Sequence, residues 1–138
     1  MRLLVVTCLV VTSTACSIAR DTPAEASVCQ LLADPSFYVG KLIVLRAVVE
    51  SDGLHLTLLT DEACSGAGIG LVVDDDIADG EAAVAMSRAI ATQRFGAPSK
   101  QIKGTFTGIF RLRPGKVPSR VLLTRAISNV QISDSGQS

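Results

Sequence analysis

The amino-acid sequence predicts a small β-rich domain in the order β-β-β-α-β-β, with one or two short helices, behind an export leader. Three observations carry this. Apolar runs that alternate or are rich in β-branched residues recur from Lys41 to Ile132, with the period of two that belongs to strands. Turn triplets such as Ser51-Asp52-Gly53 and Arg113-Pro114-Gly115 separate them at hairpin spacing. One segment of helical periodicity, Glu81 to Arg94, stands between the third and fourth strands. The chain has 138 residues, which is one domain by size once a leader is removed.

Met1 and Arg2 precede the apolar run Leu3 to Val11 and then small residues, the order of a secretory signal and too short to span a bilayer. Thr14-Ala15-Cys16 resembles the end of a bacterial lipobox, in which the cysteine is lipidated and becomes the mature N-terminus; Ser13 stands where that pattern usually has Leu. Ordinary cleavage after Ala19, with Ser17 and Ala19 as the small residues, is the alternative. The chain therefore divides into a leader at 1–19, a tether at 20–27, a folded domain at 28–132 and a flexible polar tail at 133–138. The expected location is the periplasmic side of the cell envelope, lipid-anchored if Cys16 is the first residue.

Either cleavage leaves two of the four cysteines, because Cys8 goes with the leader and Cys16 is lipidated or lost. Cys29 and Cys64 are then expected to form a disulfide, as thiols do in an oxidising compartment. Zinc is the alternative, but two thiols without a nearby histidine fall short of the four ligands it takes.

Within the domain, Val28, Leu31 and Leu32 have the spacing of a short helical face, which Asp34-Pro35 ends. Lys41 to Glu50 reads as a long strand buried at one end. Leu54, Leu56 and Leu58 alternate with His55 and Thr57 in a second strand, making a hairpin with the first. Ile69, Leu71 and Val73 make the third strand. The helix Glu81 to Arg94 presents Ala82, Met86, Ala89 and Ile90 on one side, with Asp79 near its cap. The fourth strand alternates Ile102, Gly104, Phe106, Gly108 and Phe110 with polar neighbours, its glycines implying a bend or a close backbone approach. Val121 to Ile132 is the fifth. Period-two alternation points Leu54, Leu56, Leu58, Ile69, Leu71, Val73, Phe106 and Phe110 inward, with Met86 and Ile90 closing one end.

This order, with its long first strand, resembles the OB-fold, a five-stranded partly open barrel. Cys29-Gln30-Leu31-Leu32, Tyr38-Val39-Gly40-Lys41 leading into Val44-Leu45-Arg46, and Lys103-Gly104-Thr105-Phe106 look like small bacterial envelope proteins of OB type whose role is unassigned. Ala47 stands where such proteins often have a bend-making glycine. The resemblance covers 28–132 and implies an OB-type barrel and an envelope location, without specifying any chemistry.

Net charge is zero, which argues against a general binder of nucleic acid or anionic membrane. Acids cluster between Asp61 and Glu81, whereas from Arg94 onward eight cations face the single acid Asp134, so either the halves neutralise each other or the second presents a basic face. Asp74-Asp75-Asp76 fails the EF-hand spacing, since Ala78 and Ala85 occupy ligand positions, and acids at a helix start are favourable without a metal. Gly66-Ala67-Gly68-Ile69-Gly70 lacks the spacing of a phosphate loop. His55 is the only histidine, so no catalytic triad can be specified, and without Trp the chain offers little stacking surface for nucleic acid or sugar. No cofactor or metal is expected. The polar face to watch is His55, Thr57, Lys103, Thr105 and Thr107. The sequence thus suggests a binding module for a protein or small envelope ligand, with a structural or assembly lipoprotein as the alternative and an enzyme as a distant third.

Overall fold

The ten-residue stretch Leu42–Ser51, rich in β-branched Ile and Val, is long enough to pair with different neighbours along the two edges of the strand, and this closes the sheet. The computed structural model describes residues 22–53, 56–93 and 100–135. Its elements are β1 (Ala24–Glu25), α1 (Val28–Ala33), α2 (Pro35–Tyr38), β2 (Leu42–Ser51), β3 (Thr57–Thr60), a 3-10 turn (Glu62–Cys64), β4 (Gly68–Val73), α3 (Asp75–Ala78), α4 (Glu81–Ala91), β5 (Lys100–Leu112) and β6 (Arg120–Asp134). The sheet order β2-β3-β4-β6-β5 returns to β2 through the β2–β5 ladder, which runs from Leu42 opposite Ile109 to Val49 opposite Ile102. Strands β4 and β6 are parallel and the other barrel pairs antiparallel. The result is a closed mixed barrel of OB type, with the helix between β4 and β5 as predicted.

Alternation sets the inside. Ile43, Leu45, Ala47 and Val49 of β2 are buried, facing Ile102, Gly104, Phe106 and Gly108 of β5, while Arg46 and Lys103 face out. Ile69, Leu71 and Val73 join this core, as do Met86, Ala89 and Ile90 of α4, which packs on β5 and β6. Val28 and Leu31 of α1 are fully buried in it too. A six-residue helix is too short to persist unaided. Here it is held by a capping box, in which Ser27 Oγ accepts from Gln30 N–H at 3.1 Å and Gln30 Oε1 accepts from Ser27 N–H at 2.8 Å. It is also tied to the 3-10 turn by the predicted Cys29–Cys64 disulfide, with Cα atoms 5.6 Å apart.

Four sequence expectations need correction. In β3 the buried residue is Leu59, opposite Val49 and Ile69; Leu58 lies opposite the exposed Glu50, and neither Leu56 nor Leu58 enters the core. Leu56 belongs to the turn, where its N–H donates to Asp52 Oδ1 at 2.9 Å and its carbonyl accepts from Asp52 N–H at 3.1 Å. Leu54 lies outside the described residues. The cap of α4 is Gly80 and not Asp79, with no side-chain hydrogen bond, and the helix buries Ala83 in place of Ala82. Residues Ala24–Glu25 of the expected tether form β1, parallel to Ile43 and Val44 of β2. Strand β6 runs to Asp134, into the expected tail.

The acidic cluster has a local explanation, since Asp74 accepts from Asp76 N–H at 3.1 Å and so caps α3. Of the β5 glycines, Gly108 marks a close backbone approach, as predicted, whereas Gly104 makes room for the Phe106 ring. Between Thr107 and Gly108 the β5–β6 register slips, Arg125 being the extra residue, and a Cβ on Gly108 would run into the Leu123 carbonyl oxygen. Gly108→Ala therefore forces the two backbones apart. The expected result is a loss of about 1–3 kcal/mol in thermal unfolding. An unchanged midpoint would mean the strands are not in such close contact.

Candidate functional site

Outward residues of β5 alternate with the core, so Lys103 and Thr105 stand on the outer surface opposite Val48 and Arg46 of β2. Across β6, Gln131 lies opposite Lys103 and Ser128 opposite Thr105, which leaves one residue too many on β6. This bulge places Asn129 at φ 51°, the left-handed region that asparagine tolerates better than most residues. Asn129 Nδ2 donates to Thr105 Oγ1 at 3.4 Å, so the bulge directs its amide back across the sheet.

The 3-10 turn forms the facing wall. Asp61 Oδ1 accepts from Ala63 N–H at 2.9 Å, which fixes the turn and brings Glu62 within 3.7 Å of Lys103 Nζ. That ion pair is largely exposed, so it contributes little to stability and is readily opened. Thr60 Oγ1 donates to Glu50 Oε1 at 3.1 Å on the same surface.

Between these walls runs a groove of about 650 Å³ lined by Arg46, Lys103, Thr105, Asn129, Gln131 and the 3-10 turn. A second groove, of about 660 Å³, extends past Ser27 and Gln30 and shares Arg46, Asp61, Thr105 and Asn129 with the first. The two make one trough. Volumes of this size suit a small ligand or a few residues of a chain. Cationic, anionic and amide groups lie side by side along it, so it can recognise a polar partner with both donors and acceptors. Among the described residues no group of three or more His, Cys, Asp or Glu could hold a metal ion.

Of the residues expected on the binding face, the structure brings Lys103 and Thr105 into the trough. Thr107 shares their side of β5 but lies beyond the lining, opposite Val44. Thr57 is on β3, its Oγ1 3.1 Å from Ser51 Oγ. His55 and Cys16 lie outside the described residues. Arg46 and Asn129 were missed. Arg46 was detectable as the charge that interrupts the apolar run of β2, and Ser128-Asn129 as the break in the alternation of β6. No protein-family model matches the chain, and no curated protein matches it.

Proposed function

We propose that this chain is an exported binding module of the cell envelope, one of the small envelope proteins of OB type. In this reading it is anchored through lipid on Cys16, and its trough takes a polar segment of an envelope protein or a small polar envelope ligand. The supporting observation is Asn129, a non-glycine residue held at positive φ whose amide is aimed into a polar trough that the core does not require. Backbone held in a sparsely populated region gathers at ligand sites. The location is supported by the leader pattern and by the Cys29–Cys64 disulfide, a bond that persists in oxidising compartments.

A photo-crosslinking amino acid at Thr105, activated in intact cells before fractionation, is expected to give a discrete adduct in the envelope fraction. Placed at the exposed Ser87 of α4 it gives none. Arg46→Ala combined with Asn129→Gly, which keeps the backbone free to adopt positive φ, reduces the adduct about ten-fold or more while leaving the melting temperature nearly unchanged. Equal adducts from Thr105 and Ser87 would support a structural protein instead, and recovery only in the cytosol would end the envelope reading.

A further inference from the structure

We infer that the barrel end carrying the β5–β6 hairpin is a docking surface for an anionic phospholipid bilayer. The hairpin closes with Leu112 opposite Arg120, and Arg113 N–H donates to the Ser119 carbonyl at 2.6 Å. From Arg111 to Arg120 the sequence holds four cations, Arg111, Arg113, Lys116 and Arg120, and no acid. At the tip Val117 is 90% exposed, and Leu112 is 42% exposed.

A single exposed aliphatic side chain is ordinary. Here four of the five exposed large hydrophobics among the described residues belong to this end, Phe37 and Val39 being the other two. They are brought alongside by Gly40 N–H, which donates to the Phe110 carbonyl at 2.8 Å, and by Phe110 N–H, which donates to the Lys41 carbonyl at 3.2 Å. Lys41 Nζ sits 3.3 Å from the Phe37 ring centroid, so cation and aromatic ring are presented together. The one acid between residues 34 and 41, Asp34, accepts from Phe37 N–H at the start of α2.

Apolar tips among cations match the layered chemistry of a membrane surface, where side chains such as Val117 reach the acyl boundary and Arg and Lys meet headgroup phosphates. A soluble polyanion satisfies only the cations. The trough is built on the Lys103–Thr105 and Asn129–Gln131 stretches, away from this turn, so a docked protein keeps it open. The inference concerns a different surface from the trough and does not depend on lipidation of Cys16.

The chain contains no Trp, so Val117→Trp gives a single indole at the tip. In the full chain its fluorescence is expected to shift to the blue with vesicles containing phosphatidylglycerol and to stay unchanged with vesicles of phosphatidylcholine alone. Ser87→Trp, a reporter on α4, shifts with neither. Adding Arg111→Gln and Lys116→Gln weakens vesicle binding about 30-fold, about five-fold for each cation removed. Because the N-terminal residues are common to every variant, these differences report on the hairpin. The proposal is overturned if the tip indole does not shift, if it shifts equally on neutral vesicles, if the two glutamines change nothing, or if heparin produces the same shift as the anionic vesicles.

Discussion

Phe106→Ala lowers the free energy of unfolding by about 3–5 kcal/mol. The ring is fully buried, lies opposite Leu45 on one side and Ile127 on the other, and covers Gly104, whose missing side chain makes the space for it. Removing it opens a cavity that the surrounding strands cannot fill, because closure of the barrel fixes their spacing. The same logic separates two leucines that look alike in the sequence. Leu59→Ala costs about 2–5 kcal/mol, whereas Leu56→Ala, in the turn, costs much less. Urea-induced unfolding with an unchanged slope measures both, and Thr105→Ala on the outer surface serves as the near-neutral reference. A larger loss at Leu56 than at Leu59 would mean that β3 pairs one residue out of phase with the register described above.

Replacing both Cys29 and Cys64 by Ser costs about 3–4 kcal/mol in the chain-entropy model for a loop of this length. The two cysteines are 35 positions apart, so in the unfolded chain their bond restrains the whole of β2 and β3. In the folded protein the bond acts at one place, joining α1 to the turn before β4. Without it, α1 keeps its capping box and the buried Val28 and Leu31 but loses its covalent tie to the barrel. The expected signature is a lower midpoint of unfolding, together with faster hydrogen exchange at the amides of Leu31 and Ala33 than in the strands. Uniformly accelerated exchange would instead mean that the helix and barrel open only together.

The barrel was legible where alternation is unambiguous. In β5 the inward Ile102, Gly104, Phe106, Gly108 and Phe110 alternate with Lys103, Thr105, Thr107 and Ile109, and one phase places both phenylalanines inside; in β2 the outward Leu42, Val44 and Val48 are apolar too, and pairing with β5 fixes the phase. In β3 the adjacent pair Leu58-Leu59 satisfies either phase, and only pairing with Val49 and Ile69 chooses between them. The sequence offers Asp79, a good capping residue, as the cap of α4, but that residue is already the C-cap of the preceding short helix. The trough was half legible. Lys103 and Thr105 follow from the phase of β5, but their companions come from the 3-10 turn and from a bulge, both set by long-range register. A single left-handed residue such as Asn129 leaves no periodic trace, since it marks the place where the period fails.

The parallel pairing of β4 with β6 also bears on the order in which the chain is made. Strand β6 is the last barrel element to be synthesised, yet it supplies the neighbour for β4 and for nearly the whole length of β5. Until it emerges, the nascent protein has two open edges and no way to become a smaller closed sheet. The barrel thus cannot assemble by stepwise addition from the N-terminus. Its folding waits on contacts distant in sequence, the class of topology that folds slowly and leaves strand edges exposed to other chains meanwhile.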